Sequence, residues 1–323
     1  MTDLLDSSLL ERSSIAAMAW LTVFWFFCLG ASFGSLLNVI VYRLPLGLSL
    51  WRDSSRCPSC LSPVRSRDNV PIFGWLGLRG RCRDCGWSIP VRYPLVEAAV
   101  ALQFVGLLLA EVLSGGANLP GRAPDEYTGV VWTIWYARSP ELLELYAYHL
   151  ALGYFAVGAA LMVSDGSGLP WSWVACAAAV GLGLPAIDPR VHPLAAINTW
   201  GFDNLTWPMR VVGVGDALLG ALGGAAVGAL LQRFLHADRR TEPAARFAAV
   251  CGLYLGIWST ATWCLAWCMF TAALMSLRCC RQASAARCLI LGGVLALHVQ
   301  MIAGRLFWTW FRSVVPWFGW MPA

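Results

Sequence analysis

Apolar runs close to twenty residues long recur along the whole 323-residue chain, from "WLTVFWFFCLGASFGSLLNVIVY" to "CLILGGVLALHVQMIAG". A stretch of about 20 such residues, wound as a helix, spans a hydrocarbon layer of ~30 Å. Inside lipid the backbone must satisfy its own hydrogen bonds, and runs this continuously apolar do so as helices, not as alternating barrel strands. Composition agrees: 58% of the residues are hydrophobic and 13% charged, against about 25% charged in soluble domains. The expected fold is all-α, a polytopic membrane protein of about eight transmembrane helices. The first run is longer than the apolar core of a signal peptide and follows no basic segment, so it is expected to stay as a span.

The spans are expected at about 18–42, 95–113, 145–164, 170–187, 212–232, 247–260, 262–277 and 288–310. The stretch 247–277 also reads as one long tilted helix. Arginine placement arbitrates, because basic residues collect in cytoplasmic loops. All 23 basic residues are Arg, and the net charge is +5. Segment 43–93 carries nine Arg against Asp53, Asp68 and Asp84, so it is expected inside the cell and the N-terminus outside. With 247–277 taken as two spans, 16 of the 23 Arg fall on that side. The basic charge is then an orientation signal and gives no reason to expect nucleic acid as a partner. The partner expected first is the lipid bilayer.

Segment 44–93 holds a second pattern. "RCPSC" and "RCRDC" place Cys57, Cys60, Cys82 and Cys85 as two CxxC pairs. Two thiolates on one tight turn can share a metal, and two such turns complete a tetrahedral structural zinc site. The other reading is two unrelated or redox-active pairs. A segment this small cannot build a core of its own, and a metal substitutes for one. Three units follow: 1–43 with the first helix, 44–93 as a cytoplasmic zinc module, and 94–323 as a multi-helix membrane domain.

"GASFGSLLNVIVYRLP" (30–45), "RDNVPIFGWLGLRGRC" (67–82) and "IPVRYPLVE" (89–97), together with both CxxC pairs, resemble the N-terminal half of type IV prepilin peptidases over about residues 28–100. The resemblance implies an enzyme of the cytoplasmic membrane that cleaves the leader of type IV prepilins or type II secretion pseudopilins on the cytoplasmic side. Many members also N-methylate the new terminus, with S-adenosylmethionine as donor. The resemblance further implies a membrane aspartic endopeptidase with two aspartates at cytoplasmic helix ends. One carboxyl is ionised to activate water and the other protonated to polarise the carbonyl.

Asp165, in "LMVSDGSGLP", stands where the family has its first aspartate, although Pro170 follows early. It is also a residue suited to a plain Asp-Gly turn. The second aspartate of the family lies in a Gly-x-Gly-Asp motif, and "VVGVGDALLGALGG" (211–224) offers Asp216. Bringing Asp216 to the same side as Asp165 would need a lipid-buried crossing by "DPRVHPLAAINTWGFDNLTWP" and would export the arginines after 232. Asp216 is therefore expected on the outer face, capping or beginning a helix, on the order of 30 Å from Asp165. The family motif then aligns with "TEPAARFAAVCGLYLG" (241–256), where Ala244 replaces the aspartate and Glu242 is the nearest carboxyl.

Asn38, Arg43, Arg92 and Glu97 are polar groups at the bilayer edge. They read either as interfacial anchors or, by resemblance, as part of a substrate or methyl-donor site. The four histidines show no ligand spacing. Three activities remain open: cleavage of pilin-like precursors, methyl transfer without cleavage, and non-catalytic binding of their leaders.

Overall fold

The structure is a computed structural model that describes residues 2–50, 55–120, 122–126, 128–136, 139–194, 206–235, 243–277 and 285–314. Among these residues it is helical apart from loops and two isolated β-bridges. The helices are α1 (Thr2–Arg43), α2 (Phe73–Gly77), α3 (Arg92–Leu107, extended by a π-turn to Val112), α4 (Pro140–Ser164), α5 (Trp171–Ile187), α6 (Trp207–Phe234), α7 (Pro243–Ser276) and α8 (Ala285–Val314). Six of them contain a segment long and apolar enough to cross a membrane, and α5 is a shorter apolar helix.

α7 settles the ambiguity over 247–277. Residues 247 and 267 would stand about 30 Å apart along an unbroken helix. Yet the Phe247 and Trp267 rings lie 6.1 Å apart, and those of Phe247 and Trp263 lie 6.0 Å apart. The chain reverses at Gly256, whose φ of 69° and ψ of 175° are not helical. Two antiparallel limbs result, 243–255 and 257–276. With them the bundle among the described residues has eight helical segments at about the positions the sequence suggested, but the break comes at 256 and not near 261.

The first limb has only about a dozen residues and so is about 20 Å long, short of a ~30 Å core. Its break consequently lies inside the bundle, where the freed backbone groups need protein partners. They have them. The Asp216 carboxylate accepts from the Ile257 N–H at 2.9 Å, capping the second limb. Leu253 O, at the end of the first limb, accepts from the Tyr148 hydroxyl at 3.3 Å and from His192 Nε2 at 3.2 Å. Only glycine fits at 256, because a Cβ there would overlap the Asp216 carboxylate.

Two further seams fix the bundle. Gly220, Gly224 and Gly228 of α6 lie directly on the backbone of residues 244–256, the close approach that small residues at four-residue spacing permit. Gly34 of α1 sits on Glu97 of α3, where a Cβ would come within 2.6 Å of its Cα. The outward faces, with Trp20, Phe24 and Trp25 on α1 and Leu219, Leu222 and Leu230 on α6, remain exposed.

One expectation needs correction. Asp216 neither begins nor caps its own helix, because α6 starts at Trp207, ahead of the expected 212. It sits nearly three turns inside α6, buried, and caps the limb that starts at Ile257. Its other oxygen lies 2.9 Å from His192 Nδ1. The other ring nitrogen, Nε2, donates to the Leu253 carbonyl, so the imidazole stands between the Asp216 carboxyl and the end of the first limb. Asn at 216 can make both contacts, accepting from Ile257 and donating to His192. Asp216→Asn is therefore expected to melt within a few degrees of wild type. Asp216→Leu, which orphans a backbone N–H and a histidine, should cost about 2 kcal/mol or more, as should Gly256→Ala. Thermal melting of the purified proteins in one detergent separates these outcomes.

Candidate active site and metal centre

The cysteine segment folds as two similar knuckles. In the first, Cys57 N–H donates to Ser62 O and Leu61 N–H to Cys57 O; in the second, Cys82 N–H donates to Trp87 O and Gly86 N–H to Cys82 O. Each is closed by one bridge, Arg56 with Pro63 and Arg81 with Ser88. The equivalent residues Leu61 and Gly86 both take positive φ, 58° and 73°. Facing each other, the knuckles bring all four sulfurs within 4.8 Å of one another. Cys57 Sγ to Cys85 Sγ is 3.7 Å and Cys60 Sγ to Cys82 Sγ is 3.9 Å. A disulfide would need about 2 Å. Four thiolates at ~2.3 Å from a tetrahedral ion would stand about 3.8 Å apart, so the four residues can hold a metal ion.

Electrostatics point the same way. The Ser62 hydroxyl and backbone N–H lower the Cys60 thiol to about 6. The backbone N–H groups of Cys85 and Asp84 lower Cys82. Cys85 is pushed up to about 11: the Trp87 N–H favours its thiolate, but desolvation and the other three sulfurs outweigh it. Crowded thiolates of this kind call for a shared cation. Arg83 and Arg65 brace the module by pairing with Asp68 (2.5 Å) and Asp84 (3.0 Å).

The module is keyed into the spans through α2. The Ile72 N–H donates to Glu97 at 2.6 Å, and the Trp75 indole donates to Ile89 O at 3.0 Å. Between α1, the module and the start of α3 lies a cleft of about 540 Å³, lined by Asn38, Arg43, Tyr93 and Glu97 together with module residues. Asn38 donates to Tyr93 O at 3.2 Å and Arg43 to Ser49 O at 3.1 Å. Three of the four predicted edge residues thus share one cleft.

Arg92 does not line that cleft. It reaches Asp165, the C-cap of α4, in a bidentate pair at 2.5 and 2.8 Å. Among the described residues no second carboxyl is bonded to Asp165. Asp216 is not brought to it. Arg246, early in α7, donates to Leu169 O and stacks over Trp171 at 4.2 Å, so this end of α7 adjoins the loop after Asp165. Gly256, against Asp216, lies ten residues further along the limb, about 15 Å away. Ala244 is buried against Gly228. Glu242 lies outside the described residues.

Sequence reasoning missed Tyr148 and His192, and also a second buried couple. His149 Nδ1 lies 2.6 Å from Glu111 Oε1, both side chains almost wholly buried. The signal was an ionisable residue inside each of two apolar runs, which is expensive in lipid without a partner. His192, beyond the end of α5, carried no such signal.

Residues 28–110 match the family described as the bacterial Peptidase A24 N-terminal domain. A prepilin leader peptidase/N-methyltransferase of Myxococcus xanthus (strain DK1622) is 49% identical over 82 residues, covering 25% of this chain and 24% of the relative. One from Klebsiella pneumoniae is 46% identical over 92 residues, 26% of this chain and 40% of the relative. A type 4 prepilin-like proteins leader peptide-processing enzyme of Escherichia coli O78:H11 (strain H10407 / ETEC) is 33% identical over 167 residues, 39% of this chain and 62% of the relative. The matches thus span between about a quarter and three-fifths of these relatives. No solved structure matches. This is a multi-helix membrane protein with a four-cysteine insert. Through its N-terminal segment it is similar to prepilin leader peptidases.

Leu61 stands where the partner knuckle has glycine, at a φ that costs a side chain about 1 kcal/mol or more. Leu61→Gly should therefore retain its metal, and should resist its removal by a chelator at least as well as wild type. Cys60→Ser should lower the metal content well below one ion per chain by elemental analysis.

Proposed function

We propose that this protein is a membrane aspartic endopeptidase of the prepilin type that removes leader peptides from type IV prepilin or pseudopilin precursors. The observation that carries the reading is the cleft. The family-matched segment closes around a groove containing Asn38, Arg43 and Glu97, and Arg92 ties the rim of that segment to Asp165. The groove is the site for the leader. Zinc is the ion of the four-cysteine cluster, because four thiolates suit its tetrahedral preference. The protein resides in the cytoplasmic membrane with the module inside and the N-terminus outside, as the arginine bias supports.

The Arg92 pair suggests how the work divides. The bidentate Arg92 pair fixes the orientation of the Asp165 carboxylate, and we assign Asp165 the role of base for water. The acid on the scissile carbonyl must be a second group. Glu242 immediately precedes the helix start that adjoins the loop after Asp165, and we assign it that role. Asp216 has none in the chemistry, being committed to Ile257 and His192.

A second reading rests on a specific observation. Ala244, near which the resemblance would align the family's second aspartate, is buried against Gly228 of α6. Without a second carboxyl the groove would bind leaders without cutting them, or serve only methyl transfer, for which S-adenosylmethionine would supply the methyl group. Mass spectrometry of pilin-like precursors incubated with the purified protein distinguishes the cases. Cleavage should be lost in Asp165→Asn, reduced in Glu242→Gln and nearly intact in Asp216→Asn. Loss of cleavage in a normally inserted Asp216→Asn would sink the assignment. Precursors left whole, with methylation of pre-cleaved pilin, would mean a methyltransferase. Neither product, with binding retained, would mean a scaffold.

A further inference from the structure

Next to the cleft the module carries an apolar stripe flanked by arginine. Val70, Phe73 and Leu76 recur every three residues along the turn and short helix of segment 70–77, and all three are exposed. Phe73 and Leu76 are absent from the cleft wall, whereas Val70 belongs to its lining. Arg67 and Arg79 stand at the two ends of this stripe, both exposed. Single exposed apolar residues are ordinary, but a continuous stripe rimmed by basic groups marks a surface made for contact.

Its height along the bundle identifies the partner. Ile72, the neighbour of Phe73, donates its N–H to Glu97. Glu97 is five residues inside α3, about 7 Å below the start of that helix at Arg92. On the other helix the same level is Gly34, which touches Glu97 nine residues, or about 13 Å, before α1 ends at Arg43. The stripe is therefore beside the spans at the depth where headgroups meet acyl chains. An apolar face flanked by arginine is what such a boundary accepts.

Charge agrees with an anionic surface. Asp68 and Asp84 are already taken by Arg83 and Arg65. Among the described residues Arg56, Arg67, Arg79 and Arg81 form no ion pair with a carboxylate. We propose that segment 67–79 is a membrane-interface anchor, with Val70, Phe73 and Leu76 inserted at the headgroup boundary and the arginines on anionic lipid headgroups. The anchor fixes how deep the module sits, and so sets the cleft against the membrane surface.

Hydrogen exchange of the full, metal-loaded chain in nanodiscs tests this without any assay of activity. One set of discs is made of phosphatidylcholine alone, the other of phosphatidylcholine mixed with phosphatidylglycerol. Amides of 70–77 should exchange at least about tenfold more slowly in the anionic discs, the effect of one to two arginines near such a surface. Phe73→Ser/Leu76→Ser should abolish that slowing while the metal content stays at the wild-type level, showing the knuckles intact. Arg67→Gln/Arg79→Gln should remove most of the difference between the two discs. Equal exchange in both discs, or slow exchange that survives Phe73→Ser/Leu76→Ser, would overturn the proposal. Protection that arises only on adding a pilin precursor would overturn it too, by giving the surface to a protein.

Discussion

One hydrogen bond, from the Ile257 N–H to the Asp216 carboxylate, makes the break in α7 tolerable. Reversing a helix inside a bilayer frees N–H groups on one limb and carbonyls on the other, and lipid offers nothing to bond them. Asp216 takes the N–H side; Tyr148 and His192 take the carbonyl side. The reversal then lets Trp263 and Trp267 stack on each other and donate to Gly293 O and Leu289 O of α8. It also lets the glycines of α6 lie against the first limb. Asp216, His192, Tyr148 and Gly256 therefore act as one structural unit, and a replacement that cannot keep these contacts leaves the others wrongly partnered.

The groups of the candidate site collect elsewhere, at the end of the bundle where α1 ends and α3 begins. The four-cysteine cluster, the cleft, the Arg92–Asp165 pair and the start of α7 belong to this end. The two aspartates that a search by motif would join serve different ends. Asp165 is partly exposed on a guanidinium, and Asp216 is buried against a histidine and a backbone amide. Similar side chains stand here in different surroundings, and a Gly-x-Gly-Asp match alone carries no information about those surroundings.

Much of this was legible. The apolar runs gave the spans because the 30 Å thickness of lipid fixes how many residues each requires. The CxxC spacing gave the metal cluster because a tight turn and a tetrahedron constrain which residues can converge. Arginine bias favoured two limbs over one long helix across 247–277. The start of α6 was placed late because Trp207, Pro208 and Arg210 read as loop, although Pro fits the first turn of a helix. That error moved Asp216 from the interior of its helix to the end.

Local chemistry thus determined in the sequence the number and approximate place of the helices, the four clustered cysteines and the family resemblance of residues 28–110. Periodicity and turn spacing are properties of neighbouring residues. Only tertiary structure decided that Asp216 caps a limb 41 residues further on, that Arg92 leaves its neighbours to hold Asp165 73 residues away, and that His149 and Glu111 meet. Those pairings depend on which helix faces lie together at which height. Helix packing sets that, through close approaches such as Gly34 on Glu97 and Gly220 on Gly252, and the spacing of residues along the chain does not encode it.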